Sequence, residues 1–97
     1  MYGTVARMRA KSGQSQAIVN MLNEWNRVRR PNVKGVVGGY VLIPDDNPDE
    51  PVLIAIFQDK DSYVANAQDP QQDQWFQQLR GHLEADPDWT DGEIAEA

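Results

Sequence analysis

Cysteine is absent from this 97-residue chain, so there is no disulfide framework, no thiolate to hold a metal and no cysteine nucleophile. Histidine occurs once, at His82, and without a second imidazole or a thiol the chain has no convergent ligand set for zinc. A Ser-His-Asp order, a P-loop and a dinucleotide fingerprint are all missing. Neither a metal nor a flavin or nucleotide cofactor is therefore expected. Basic residues are outnumbered: 9 Lys and Arg against 15 Asp and Glu give a net charge of −6. That balance argues against nucleic acid or an anionic membrane as the partner. Long apolar runs are lacking too, so no transmembrane helix is expected, and the first residues lack the basic-then-apolar pattern of a signal peptide, so none is expected either. The expected location is the cytoplasm. The length suits a single domain over residues 1–97.

What is present is unevenly spread. Residues 1–43 hold seven Lys and Arg against one acid, Glu24, while residues 44–97 hold fourteen acids against Lys60 and Arg80. In one small domain this asymmetry predicts ion pairs between the halves or between subunits.

The chain is organised around Val52 to Phe57, VLIAIF, where both side-chain parities are apolar. A strand apolar on both faces belongs in the middle of a sheet and is covered on both sides. Ahead of it, Thr4, Ala6 and Met8 alternate with Val5, Arg7 and Arg9, the pattern of a first strand with one apolar face. Ser12 offers a helix cap, and Ile18, Met21, Leu22, Trp25 and Val28 recur at helical spacing up to about Arg29, with Pro31 as the stop. Val33 to Ile43 reads as a second strand, whose Gly38-Gly39 pair predicts a bulge, a bend or close approach of another backbone. Pro44 to Pro51, with three prolines, is the segment expected to be most mobile. Asp61 can cap a short helix through Ala67. Asp69-Pro70 restarts it with Gln72 completing a capping box, and Trp75, Phe76, Leu79 and Leu83 form its stripe. Trp89 to Ala95 is the last strand.

The order strand, helix, strand, strand, helix, strand predicts an α+β ferredoxin-like βαββαβ fold: a four-stranded antiparallel sheet with both helices on one face. The opposite face would be bare yet apolar, and its simplest cover is a second copy of the chain in a homodimer.

Six residues could carry chemistry. Trp25, Tyr40, Tyr63 and Trp75, with Asn66 beside them, could line a pocket for a small aromatic ligand, although core filling explains the same rings. His82 shares a helix face with Trp75 and Leu79 and is the one side chain there that titrates near neutrality, which makes it a candidate general base. Arg7 and Arg9 are expected to pair with Asp91 and Glu93 of the last strand.

The run VLIAIFQDKDSY followed by a broken helix with Tyr63, Asn66-Ala67, Asp69-Pro70, Trp75-Phe76 and Leu79 resembles the antibiotic biosynthesis monooxygenase-like proteins of the dimeric α/β-barrel group. The opening RMRAKSGQ, Arg7 to Gln14, fits the same family. The resemblance implies a cofactor-independent oxygenase acting on a small aromatic or quinol-like compound. The alternative is a non-catalytic module of the same dimeric fold that binds a small ligand or mediates assembly. One branch of the family oxidises a quinol-like polyketide among Asn, Trp, Tyr and Arg side chains. Another degrades haem with an Asn on the first strand, where this chain offers Thr4, Ala6 and Met8.

Overall fold

The computed structural model describes residues 1–97. Four strands, β1 (Tyr2–Arg7), β2 (Val36–Leu42), β3 (Val52–Phe57) and β4 (Asp88–Glu93), form one antiparallel sheet in the order β2-β3-β1-β4. The VLIAIF strand takes an interior place, as its two apolar faces require. Three helices, α1 (Ser15–Glu24), α2 (Lys60–Ala67) and α3 (Pro70–Arg80), complete the ferredoxin-like arrangement.

One core holds the layers together. Ile18, Leu22 and Trp25 from the first helical segment meet Ala6, Met8 and Leu53 of the sheet side, with Leu79 and Leu83 from the α3 end. Residues directly opposite in antiparallel strands share a face, so the register fixes which side chains point to the helices. Val41, Leu53, Ala6 and Trp89 form one cross-strand row toward them, and Gly39, Ala55, Thr4 and Asp91 form the next. The intervening row, Tyr40, Ile54, Val5 and Thr90, points to the other face, where no helix packs: Tyr40 is 56% exposed and Leu42 52%.

Several local details differ from the sequence reading. The first helix does not run regularly to Arg29, because Trp25–Arg29 is wound as a π-helix and Arg30–Asn32 as a 3-10 turn. Wider winding moves the face that meets the core. Trp25 stays buried, Val28 is 50% exposed, and Arg29 has 15% of its side chain exposed. Ser12 is not the cap of α1, whose N-cap position is Gln14 without a side-chain bond. Asp59, not Asp61, caps α2, accepting from the Ser62 N–H at 2.8 Å; that bond holds its carboxyl below the usual range. Asp69 does cap α3, with Pro70 at its first position. Gln72 is no part of a capping box, however, since its side-chain oxygen accepts instead from Trp25 Nε1 at 2.8 Å.

β2 begins at Val36 rather than Val33, and its ladder with β3 is irregular between Val36 and Gly38, the bulge that the glycine pair predicts. The proline-rich loop is tied down at its end. Met8 N–H donates to Pro51 O and Ala10 N–H to Asp49 O, extending the β1–β3 edge, and Ser15 Oγ donates to Pro48 O. Pro51 is buried beneath these bonds.

Arg7 lies opposite Asp88, while Asp91 lies opposite Thr4 and Glu93 opposite Tyr2. The expected pairing of Arg7 and Arg9 with Asp91 and Glu93 is thus wrong by register, and Arg9 falls beyond β1. Charge does cross between the halves at Arg29, whose guanidinium lies 3.5 Å from Asp69.

Ile18 is 1% exposed at the centre of the core. Ile18→Ala is expected to lower the unfolding free energy by about 2–5 kcal/mol through lost burial and the cavity left behind. Denaturant titration of the two chains measures it.

Candidate functional site

A cavity of about 300 Å³ lies between the sheet and the helices, at the lower end of the size range of small-molecule pockets. Its floor follows from the register. Gly39, Ala55 and Thr4 sit side by side on β2, β3 and β1, so three adjacent strands place small side chains in one row beneath the helices. The rows on either side are taller, with Leu53 and Trp89 on one flank and Phe57 on the other. Ala55 consequently remains partly exposed although it lies on an interior strand under the helical layer.

Aromatic side chains make the walls. Tyr63 of α2 stands against Phe57, edge to face at 5.5 Å between ring centres, and against Tyr2 at 5.4 Å. At the far side Phe76 of α3 packs on Trp89 at 5.9 Å. Trp25, from the π-helical turn, and Trp75, from α3, complete the enclosure with Asn66. Such rings offer flat apolar surface to a flat ligand.

Polar bonds hold these walls in position. Trp25 Nε1 donates to Gln72 across the gap between the π-helical turn and α3. Arg29 donates to the Asn66 side-chain oxygen at 3.3 Å, beside its ion pair with Asp69. Both attach to the junction where Asp69-Pro70 separates α2 from α3. The Tyr63 hydroxyl donates to Asp91 Oδ1 at 3.0 Å. Burial pushes the Tyr63 phenol up to about 12; the Thr4 hydroxyl opposes it, and the bond to Asp91 and that carboxylate's charge add to the rise. Tyr63 is therefore a protonated phenol at neutral pH, already committed as a donor.

The structure thus brings Trp25, Tyr63, Asn66 and Trp75 together around one cavity. It does not bring Tyr40 or His82 there. Tyr40 lies on the opposite sheet face, its ring over Gly38, where an added Cβ would stand 2.7 Å from the Tyr40 hydroxyl. His82 follows α3, in the turn before Leu83 bridges to Ala10, and its Nδ1 lies 2.9 Å from Gln14 Oε1. Sharing a helix stripe with Trp75 fails for His82 because α3 ends at Arg80 and the chain turns. The floor residues Thr4, Gly39 and Ala55 escaped the sequence reading. Small residues give no signal singly, and only the register shows that they are adjacent. No group of His, Cys, Asp and Glu is arranged to hold a metal ion, and no helix is long and apolar enough to cross a membrane.

The family model for antibiotic biosynthesis monooxygenase matches residues 1–78. The chain belongs to that family. Among solved structures, a protein from Chloroflexus aurantiacus provisionally assigned as an antibiotic biosynthesis monooxygenase is 20% identical, with a TM-score of 0.78 over 99% of this chain and 94% of its own. A provisionally assigned counterpart from Deinococcus radiodurans is 17% identical, with a TM-score of 0.80 over 100% and 95%. A conserved protein from Methanosarcina mazei reaches a TM-score of 0.82 at 15% identity over 97% and 92%. At these identities the likeness establishes the fold that antibiotic biosynthesis monooxygenase family members share. No curated protein matches the chain in sequence.

The Tyr63 environment makes a checkable statement about pH. The folded chain holds this proton more tightly than the unfolded chain, whose phenol ionises near the ordinary value of about 10. The stabilisation is complete below that pH and is lost as pH rises toward about 12. A phenolate absorbance titration is expected to show one late-ionising tyrosine, and Tyr63→Phe to remove that late step.

Proposed function

We propose that this chain is a homodimeric oxygenase that works without a cofactor on a small aromatic or quinol-like compound. The observation that carries the reading is the cavity itself. Its floor of Thr4, Ala55 and Gly39 and its walls of Trp25, Tyr63, Trp75 and Phe76 offer flat apolar surface suited to an aromatic ring. A second hollow, about 350 Å³ and lined by Asn32, Lys34, Asp61 and Asp69 among others, has no aromatic wall and no such fit. Quinol-type substrates supply their own electrons: a quinol plus dioxygen yields a hydroxyquinone plus water, with atoms balanced and no external reductant. The protein's share would be to hold the ring on the small-residue floor, shield it from water and leave room for dioxygen beside it.

One observation favours a second reading, a non-catalytic ligand-binding module. Tyr63 keeps its proton, and His82 is engaged with Gln14 away from the cavity, so neither supplies a general base there. Oxygen uptake decides between the two. The oxygenase reading expects consumption of dioxygen with a quinol panel above the rate without protein. Ala55→Leu, which fills the floor, should remove that activity while the chain stays folded. Saturable quinol binding without oxygen uptake would support the binding module and overturn the oxygenase.

The homodimer reading rests on the bare sheet face. Val5, Val52, Ile54 and Ile56 with Tyr40 and Leu42 leave a contiguous apolar surface that no helix of the chain covers. The proposed cover is a second copy of the same face. Ile54, not Leu53, is the test position, because Leu53 is 6% exposed under the helices while Ile54 points to the bare side. Ile54→Asp is expected to convert a dimer into a monomer in sedimentation, since the new carboxylate would be buried unpaired. A native chain sedimenting as a monomer at micromolar concentration would refute the dimer.

A further inference from the structure

Of the residues that line the cavity, three are still exposed: Ala67 of α2, Asp73 of α3 and Trp89 of β4. They mark its mouth, between the two helices and the edge strand. Asp73 is the only charged residue in the lining, and none of the nine Lys and Arg belongs to it. Arg29, which bonds the lining residue Asn66, is countered by Asp69. A second carboxylate, Asp91, lies 3.0 Å from the hydroxyl of the lining residue Tyr63. The surroundings of the cavity thus carry negative charge with no free cation to balance it.

The other polar groups of the lining are neutral. Thr4 donates to the Thr90 carbonyl and Tyr63 to Asp91. The side-chain oxygens of Gln72 and Asn66 accept from Trp25 and Arg29, so each amide has only its N–H donors left. The Trp75 indole N–H is buried without a partner. Neutral donors can serve an uncharged oxygen of a ligand, but only Asp73 answers a charge. Its carboxylate takes part in neither of the chain's ion pairs, Arg29 with Asp69 and Arg80 with Asp86. An acid in the first turn of α3 favours that helix whatever it faces. Asp61 holds the same place in α2, yet it lines the second hollow and not this cavity.

We propose that Asp73 makes the cavity selective for an aromatic ligand carrying an ammonium group, and against one carrying a carboxylate. The ring occupies the apolar interior, and the ammonium stays at the mouth with Asp73 and with Trp89, which is 44% exposed. Indole faces attract cations too. At the mouth the charged group keeps part of its water and escapes the cost of full burial. A carboxylate in the same place meets Asp73 with no cation beside it. This deepens the reading of the cavity as a ligand site and rests on it.

The test compares naphthylmethylamine, naphthylmethanol and naphthylacetate, which share one ring system, by calorimetry on the native chain at neutral pH. The amine is expected to bind about three- to fivefold tighter than the alcohol, and the acetate weaker than the alcohol by a similar factor, as for one exposed ion pair. Salt at about 1 M should bring the three together, because the mouth is open to solvent. Asp73→Asn keeps the side-chain size; it should give amine and alcohol equal affinity and leave the alcohol as before. Asp61→Asn makes the same change in net charge at the matching helix position and should leave the native ranking intact. Should Asp73→Asn fail to fold, the native ranking and its loss in salt still decide. An amine no tighter than the alcohol, a ranking that salt does not reduce, or one that survives Asp73→Asn or is lost equally in Asp61→Asn overturns the charge selection while leaving the cavity as a site. Failure of all three compounds to bind overturns both.

Discussion

The antiparallel register is the constraint on which the rest depends. It sets Gly39, Ala55 and Thr4 side by side on three strands and so decides where the helices cannot close onto the sheet. A slip of one residue would send every side chain to the opposite face. Ile54 and Val5 would then rise beneath the helices and fill the space. The register is in turn secured by burial. Leu53 and Ala6 must face the helices, and Leu53 is 6% and Ala6 0% exposed. The tall row that makes the core therefore also fixes the low row beside it.

A hollow over a low row would collapse if the helices were free to settle. Two polar connections oppose that. Trp25 to Gln72 spans from the π-helical turn to α3, and Arg29 holds the junction of α2 and α3 through Asn66 and Asp69. The π-helix links the two. Across this turn Trp25 stays buried, Arg29 keeps the inward face it shares with Ile18, Leu22 and Trp25, with 15% of its side chain exposed, and Val28 lies to the outside at 50%. Asp69-Pro70 serves the same end, because proline stops continuation of α2 and starts α3 in a new direction.

Most of the architecture was legible in the sequence because it depends on period and punctuation. Two apolar parities placed VLIAIF inside the sheet, alternation marked β1, and Asp69-Pro70 marked the start of α3. Details that depend on tertiary contact were not legible. Ser12 and Asp61 are good caps by composition, yet Gln14 and Asp59 occupy those positions. Arg7 lies opposite Asp88 rather than Asp91 because strand register, unlike strand existence, is set by the partner. The cavity was half legible. Trp25, Tyr63, Asn66 and Trp75 were visible as aromatic and amide residues on predicted elements, but the floor consists of residues whose importance lies in what they lack.

Tyr40 and His82 show where reading side-chain type without register leads astray. Tyr40 has the right chemistry for an aromatic pocket, but it pairs with Ile54, and that row points away from the helices. The same parity gives Tyr40 a different setting. It lies over Gly38 on the apolar face, in line with Ile54 and Val5, where the flat side of a ring can meet another sheet. His82 has the right kind of side chain for a base, but helical spacing predicts a shared face only while the helix continues. α3 ends at Arg80, and the backbone of residues 82–84 is taken up by Lys11 and Arg9 instead. The imidazole is thereby directed to Gln14 at the start of α1. Its position follows from how the chain returns from α3 toward the sheet, and the cavity owes its character to the aromatic rings that wall it and the small residues beneath them.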